Sequence, residues 1–192
     1  MIARLVSMAF VAMRCWLVGR FFTSDNVFPW IFGISELLAL GATVYALGWG
    51  RVDASWRGLL LPVLHLVVLL FDFSAPCGPG IAGGLYFCLA PLQIALRLRL
   101  GLSCTVGVPC WVKLREGWPY SWIRHPLQLL EAGLAVLAVV YASGAWNYAV
   151  LAVYLAVIVP AIVAIEESFL RSECVYLAYC GRVRWRLLPW VF

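Results

Sequence analysis

Long apolar runs broken by short polar clusters dominate the chain. A bilayer core takes about 20 apolar residues per helix. Six stretches approach that length, at 2–21, 28–49, 57–75, 80–97, 127–143 and 146–166. Arg4, Arg14 and Arg20 interrupt the first, so a short, tilted or partly interfacial helix is expected there. The runs are continuously apolar and do not alternate, which argues against lipid-facing strands. The pattern predicts an all-α integral membrane protein of about five to six transmembrane helices with a C-terminal helical tail. No linker or internal repeat divides residues 1–192, so a single membrane domain is expected.

Composition points the same way. Apolar residues fill 65% of the 192 positions and charged residues only 12%, too few to keep a soluble domain of this size in solution. Ten Trp and eight Tyr suit the aromatic belts found at headgroup level. The net charge of +5 raises nucleic acid as a partner. The basic residues, however, sit in short clusters between apolar runs, as topology signals do, so no nucleic acid is expected. With six helices and a cytoplasmic N-terminus, the inner segments hold Arg4, Arg51, Arg57, Arg97, Arg99, Lys113, Arg115, Arg124, Arg171, Arg182, Arg184 and Arg186. Those are twelve of the fourteen Lys and Arg residues, whereas the segments near 72–80 and 142–147 hold none. That asymmetry predicts a multi-pass protein whose tail and polar clusters face the cytoplasm.

Seven cysteines (Cys15, Cys77, Cys88, Cys104, Cys110, Cys174 and Cys180) form no C-x-x-C pair, and the odd count argues for free thiols over a disulfide framework or zinc site. With only two His in the chain, no metal site is expected. The first apolar run lacks a small-residue cleavage site after it, so it is expected to be retained as a helix. Gly78, Gly80 and Gly83 match a dinucleotide fingerprint in spacing alone. They follow no strand, and Gly80 with Gly84 is expected to permit close helix packing instead.

Two clusters carry candidate chemistry. The longest interruption in hydrophobicity runs from Arg97 to Pro126 and ends in Gly117-Trp118-Pro119-Tyr120-Ser121-Trp122-Ile123-Arg124-His125-Pro126. Pro126 suits a first helical position. Arg124 and His125 then stand at a helix start, where anionic groups are favoured. A juxtamembrane basic residue with a polar cap is the plainer reading. The second cluster is Glu166-Glu167, followed by Arg171, Glu173, Tyr176, Tyr179, Arg182, Val183, Arg186 and Pro189. A solvated amphipathic tail is the plainer reading here. Against it, adjacent carboxylates at the edge of a bilayer are costly without positive partners. Two helix crossings bring the clusters to one face. Glu36 and His65 lie inside apolar stretches, where ionisable residues raise the question of a polar pair or substrate contact.

The pattern G-x-x-Y-x-W-x-R-H-P, then two helices, then E-E-x-x-L-x-x-E-x-x-Y-x-x-Y-x-x-R-V, resembles the isoprenylcysteine carboxyl methyltransferase family. That family, with related phospholipid N-methyltransferases, consists of membrane enzymes that use S-adenosylmethionine. The resemblance covers residues 117–192. It implies that Tyr120, His125, Glu166, Glu167, Tyr179 and Arg182 enclose the cofactor at the cytosolic face. It further implies catalytic roles for Arg124 and Glu167. The family usually continues R-H-P-x-Y-x-G, whereas Gln128 and Leu130 stand at the aromatic and glycine positions here. Gln128 and Glu131, on the first turns of that helix, are the candidate substrate contacts.

Methyl transfer from a sulfonium needs positioning and a desolvated site more than a covalent intermediate. Carboxylates pair with the cofactor's cationic groups, and Arg with its carboxylate. The expected acceptor is a lipidic or small hydrophobic molecule arriving from the bilayer, with membrane lipids as surroundings. Two rivals stay open. A NADPH-dependent membrane reductase of the sterol or steroid type shares the His-Pro feature and the terminal Arg186-x-x-Pro189. A non-catalytic scaffold or small transporter would instead use Glu36, His65 and Glu131.

Overall fold

The computed structural model of the protein describes residues 2–23, 27–49, 60, 63–74, 80–100, 117–171 and 174–189. Arg51, Arg57, Lys113, Arg115, Glu173, Cys77, Cys104, Cys110 and Gly78 lie outside the described residues. The described chain is helical, and its one extended pairing is an isolated bridge between Ile123 and Trp185. The helices are α1 (Ile2–Gly19), α2 (Val27–Trp49), α3 (Gly80–Leu100), α4 (Pro126–Tyr141), α5 (Ala145–Leu170) and α6 (Cys174–Arg182). A 3-10 turn follows α1 at Arg20–Thr23. α1 lies along α2, α2 reaches α3, and α3 runs along α4, which turns back into α5.

Local sequence explains several boundaries. Pro126 opens α4 at a position where its missing N–H is no loss. α5 carries Pro160 in its interior, which leaves a carbonyl one turn earlier without its usual donor. The helix widens into a π turn over Tyr154–Ile158 just before that proline. The third apolar stretch departs from expectation: its described part is helical only to a 3-10 turn at Leu66–Leu70, and Phe71 is already extended. The packing supplies a reason. Asn147, buried at the start of α5, accepts from the Asp72 amide at 2.8 Å and donates to the Asp72 and Ala142 carbonyls, each at 2.6 Å. Trp146 Nε1 adds a bond to the Leu70 carbonyl at 2.9 Å. Helical bonds given up at 70–72 are thereby replaced by side-chain bonds.

Aromatic rings join the first three helices and the 63–74 segment. Phe32 of α2 stands 5.1 Å from Phe21 and 5.2 Å from Phe73, centroid to centroid, and 6.1 Å from Tyr86 of α3. Gly33 allows this seam to close, since a Cβ there would meet the Phe22 ring at 2.9 Å. Gly80 and Gly84 do not have the close-packing role expected of them, because a Cβ at either would meet nothing within 4 Å. Their spacing was right for helix contact, but that face of α3 is open.

One helix among the described residues, α5, is long and apolar enough to cross a membrane, with 26 residues and a mean hydropathy of 2.6 over its most apolar 18. At 1.5 Å per residue it spans about 39 Å, against a hydrocarbon core of about 30 Å. Glu166 and Glu167 lie towards its C-terminal end, just past the apolar stretch. Shorter apolar helical segments run over Pro29–Leu38, Gly80–Leu96 and Pro126–Tyr141.

A buried ion pair between Arg14 of α1 and Glu36 of α2 crosses the bundle interior. Removing one partner strands the other charge, which costs about 3–5 kcal/mol, whereas replacing both with apolar residues is often neutral. Glu36→Gln should therefore lower the melting temperature of the purified protein sharply, and the double replacement Arg14→Met with Glu36→Leu should restore most of it. Equal losses in the single and double variants would show that the pair does not balance charge in this way.

Candidate functional site

The two motifs, distant in sequence, meet at one carboxylate. Glu167, on the last turns of α5, is 3% exposed. Its Oε1 lies 2.6 Å from Arg124 Nη1 and 3.6 Å from His125 Nε2. Its Oε2 lies 3.2 Å from Arg171 Nη2 and 3.1 Å from Arg186 Nε. Three guanidinium groups thus surround one buried carboxylate. Glu166, beside it, lies 3.1 Å from His125 Nδ1 and accepts from Gln128 Nε2 at 3.1 Å. His125 precedes α4 without capping it through its side chain; the ring is turned to the two glutamates instead.

A backbone clasp holds the arrangement. The amides of Arg124 and His125 donate to the Trp185 and Arg186 carbonyls, each at 2.9 Å, so residues 123–125 and 185–186 run side by side. Tyr179 donates its hydroxyl to the Tyr120 carbonyl at 2.6 Å, and its ring stacks at a tilt 5.8 Å from Tyr176. Both tyrosines and Val183 are buried, so α6 packs inward and is not a solvated tail. Arg124 also donates to Cys180 Sγ at 3.2 Å and to the Arg184 carbonyl at 3.0 Å.

The electrostatics follow from this packing. Burial pushes His125 towards the neutral form, but its hydrogen bond to Glu166, the nearby Glu167 carboxylate and the charges of both outweigh that and raise it above the ordinary 6.5. Burial likewise opposes charge on Arg124, and Glu167 more than compensates. Burial pushes the Tyr176 hydroxyl upward, and the nearby Glu167 charge adds to this. Three arginines exceed the two carboxylates, so the cluster carries a positive excess. Arg124 Nε, His125 Nε2 and Glu167 Oε1 are all buried without a hydrogen bond.

The candidate residues therefore separate. Arg124, His125, Gln128, Glu166 and Glu167 share one cluster, and Tyr120 with Tyr179 supports it from behind. Gln128, a candidate substrate contact, is occupied in holding Glu166. Arg182 is exposed and lies in a groove beyond the cluster. Glu131 lies deeper, 3.4 Å from Gln93, in a small interior cavity shared with Arg14, Glu36, His65 and Tyr86. Arg171 and Arg186 stood in the second sequence cluster without a role assigned to them. Arg171 was readable from its i, i+4 spacing to Glu167, whereas Arg186 depends on the tail folding back.

No family model, curated protein or solved structure matches the chain. Among the described residues no group of three or more His, Cys, Asp or Glu could hold a metal ion.

Glu167→Gln leaves three guanidinium groups around a neutral amide, and breaking a buried pair costs about 3–5 kcal/mol. Arg171, half exposed at i, i+4, contributes about 0.3–0.5 kcal/mol. Thermal melting should show a large loss for Glu167→Gln and almost none for Arg171→Gln; comparable losses would mean that Glu167 is not the hub. His125 adds a pH dependence. Its folded value is raised, so its contribution to stability is complete below about pH 6.5 and is lost as pH rises through the folded value. Stability should fall as pH rises out of that range, and His125→Gln should flatten the curve. An unchanged curve in the variant would contradict the assignment.

Proposed function

We propose that the protein is a membrane-embedded, S-adenosylmethionine-dependent methyltransferase, similar to the isoprenylcysteine carboxyl methyltransferase type, acting on a lipidic or small hydrophobic acceptor. The observation that carries this reading is the convergence of Arg124-His125 with Glu166-Glu167, leaving Arg124 Nε, His125 Nε2 and Glu167 Oε1 without hydrogen bonds in one buried place. Two buried donors without an acceptor fit the carboxylate end of such a cofactor, and a buried polar group without a partner is costly.

When bound, S-adenosylmethionine supplies an electrophilic methyl group on a sulfonium centre. The chain's residues have three tasks around it. Arg124 and His125 offer donors to a carboxylate, charge-assisted at Arg124, whose guanidinium is always charged, while the two glutamates favour the charged form of His125. Glu167 offers an acceptor to an ammonium or hydroxyl group and fixes the arginines in place. Glu166, held by Gln128 and His125, keeps the imidazole oriented with Nε2 towards Glu167. Tyr176, Tyr179 and Val183 pack behind the cluster and exclude water, which strengthens each of these interactions.

The proposed setting is a multi-pass bundle of five to six spans with this cluster on the cytoplasmic side. The positive-inside asymmetry supports it, as do the outward-facing apolar side chains Trp16, Ile81, Phe87 and Val157. Single cysteines in a cysteine-free background test the orientation. Ser143→Cys, exposed between α4 and α5, should react with an impermeant thiol reagent added outside sealed cells, and Gly181→Cys should not. The reverse pattern would put the cluster on the side without cofactor.

Calorimetry with S-adenosylmethionine tests the function. The wild-type protein should bind it, and His125→Ala should weaken binding roughly ten- to a hundredfold, the worth of a charge-assisted hydrogen bond, with helix content unchanged. Stabilisation by NADPH and none by S-adenosylmethionine would replace methyl transfer with reduction. Binding of neither would leave a non-catalytic membrane protein.

A further inference from the structure

The N-terminal half of the bundle holds its own buried cation, and one donor of that cation is unmet. Arg14 of α1 is 6% exposed and is paired through Nη2 with Glu36 of α2. Its Nε–H is buried and finds no acceptor among the protein groups around it. A donor left unmet on a buried charged group is costly, because water no longer solvates it. Arg14 cannot turn outward to find an acceptor without breaking its pair with Glu36.

The cavity that Arg14 lines narrows what could supply that acceptor. It measures about 30 Å³, and its lining includes Arg14, Glu36, His65, Tyr86, Gln93 and Glu131. A water needs roughly 10–15 Å³ and about two to four polar partners. The space is therefore ample for one water and too small for an organic molecule. Cavities with apolar walls stay dry, whereas this one presents a guanidinium, two carboxyl groups and an amide. A bare cation has no lone pair for Arg14 Nε and would stand against the guanidinium. Water accepts from Arg14 and also donates. A carboxylate offers about four lone-pair sites, so Glu36 and Glu131 can take water protons beside the bonds they already make. One of those bonds joins Glu131 to Gln93 Nε2 at 3.4 Å.

We infer that this cavity holds one internal water molecule, which accepts a hydrogen bond from Arg14 Nε and donates to the carboxyl groups of Glu36 and Glu131. The water joins the α1–α2 pair to the α3–α4 pair, where the ion pair of the first meets the Glu131–Gln93 bond of the second. It extends a two-helix ion pair into a network across four helices, and a satisfied network of this kind fixes the placement of its members. Losing the water leaves Arg14 Nε unmet and loosens the join. None of the groups that neutralise Glu167 takes part, so the site is independent of the methyl-transfer reading.

Nuclear magnetic resonance of the full chain in detergent micelles, with isotope-labelled arginine, reads the contact directly. The Arg14 Nε–H signal, assigned by its loss in the Arg14→Met, Glu36→Leu variant, should show a cross-peak to water. Tyr86→Phe should keep that cross-peak; its loss there would assign the contact to the phenolic proton and not to water. A filling substitution gives a second readout. Ala135 lines the cavity, so Ala135→Val adds methyl groups in the space for the water. In the native background it should lower the melting temperature by about 2–4 °C, the shift for about one buried hydrogen bond lost in a chain of this length. In the Arg14→Met, Glu36→Leu background, which lacks the donor, that loss should disappear. A missing water cross-peak in the folded protein, stabilisation by Ala135→Val, or an equal loss in both backgrounds would overturn the inference.

Discussion

A carboxylate shut away from water must find positive partners within the protein, and Glu167 finds three guanidinium groups and an imidazole. Those partners come from three places in the chain: the segment before α4, the end of α5, and the tail beyond α6. One charge therefore dictates how the last third of the protein folds. Arg124 and His125 must turn towards α5, and the tail must come back far enough for Arg186 to reach. The backbone pairing of 123–125 with 185–186 is the local structure that satisfies both demands. Burial of Tyr176, Tyr179 and Val183 fills the space behind it.

The same constraint explains why the cluster suits chemistry. Clustered cations repel one another, and Glu167 offsets much of that repulsion while leaving a positive excess. The unmet hydrogen-bonding atoms of Arg124, His125 and Glu167 then sit in a dry setting, where interactions with a guest are stronger than in water. The interior cavity lined by Arg14, Glu36, His65 and Glu131 is a different kind of place. At about 30 Å³ it has room for one water, and its polar groups come from six segments of the bundle, Tyr86, Gln93 and Tyr154 included.

Much of this was legible in the sequence, for identifiable reasons. Apolar runs gave the helices because hydrophobicity over about 20 residues is a strong signal, and Pro126 marked the start of α4 to the residue. The meeting of Arg124-His125 with Glu166-Glu167 followed from counting two crossings between them. The end of the third stretch at Leu70 was not readable, because it depends on Asn147 and Trp146 bonding across more than 70 positions. The pairing of Arg186 with Glu167 was not readable for the same reason, because it depends on the tail folding back. Arg182 and Glu131 were placed with the cluster by motif spacing, which carries no information about where an exposed or deeply set side chain points. Gln128, on the first turn of α4, was read as a substrate contact; in the fold its amide holds Glu166.

The central claim is that Glu167 clasps the tail onto the segment preceding α4. A disulfide trap across the Ile123–Trp185 bridge reads that directly. Paired segments lie about 4.7–4.9 Å apart, within the Cα separation that a disulfide spans. In a background lacking native cysteines, Ile123→Cys with Trp185→Cys should oxidise rapidly and nearly completely, and adding Glu167→Gln should slow the cross-link severalfold. Absence of the cross-link, or an equal rate with Glu167→Gln, would contradict the account.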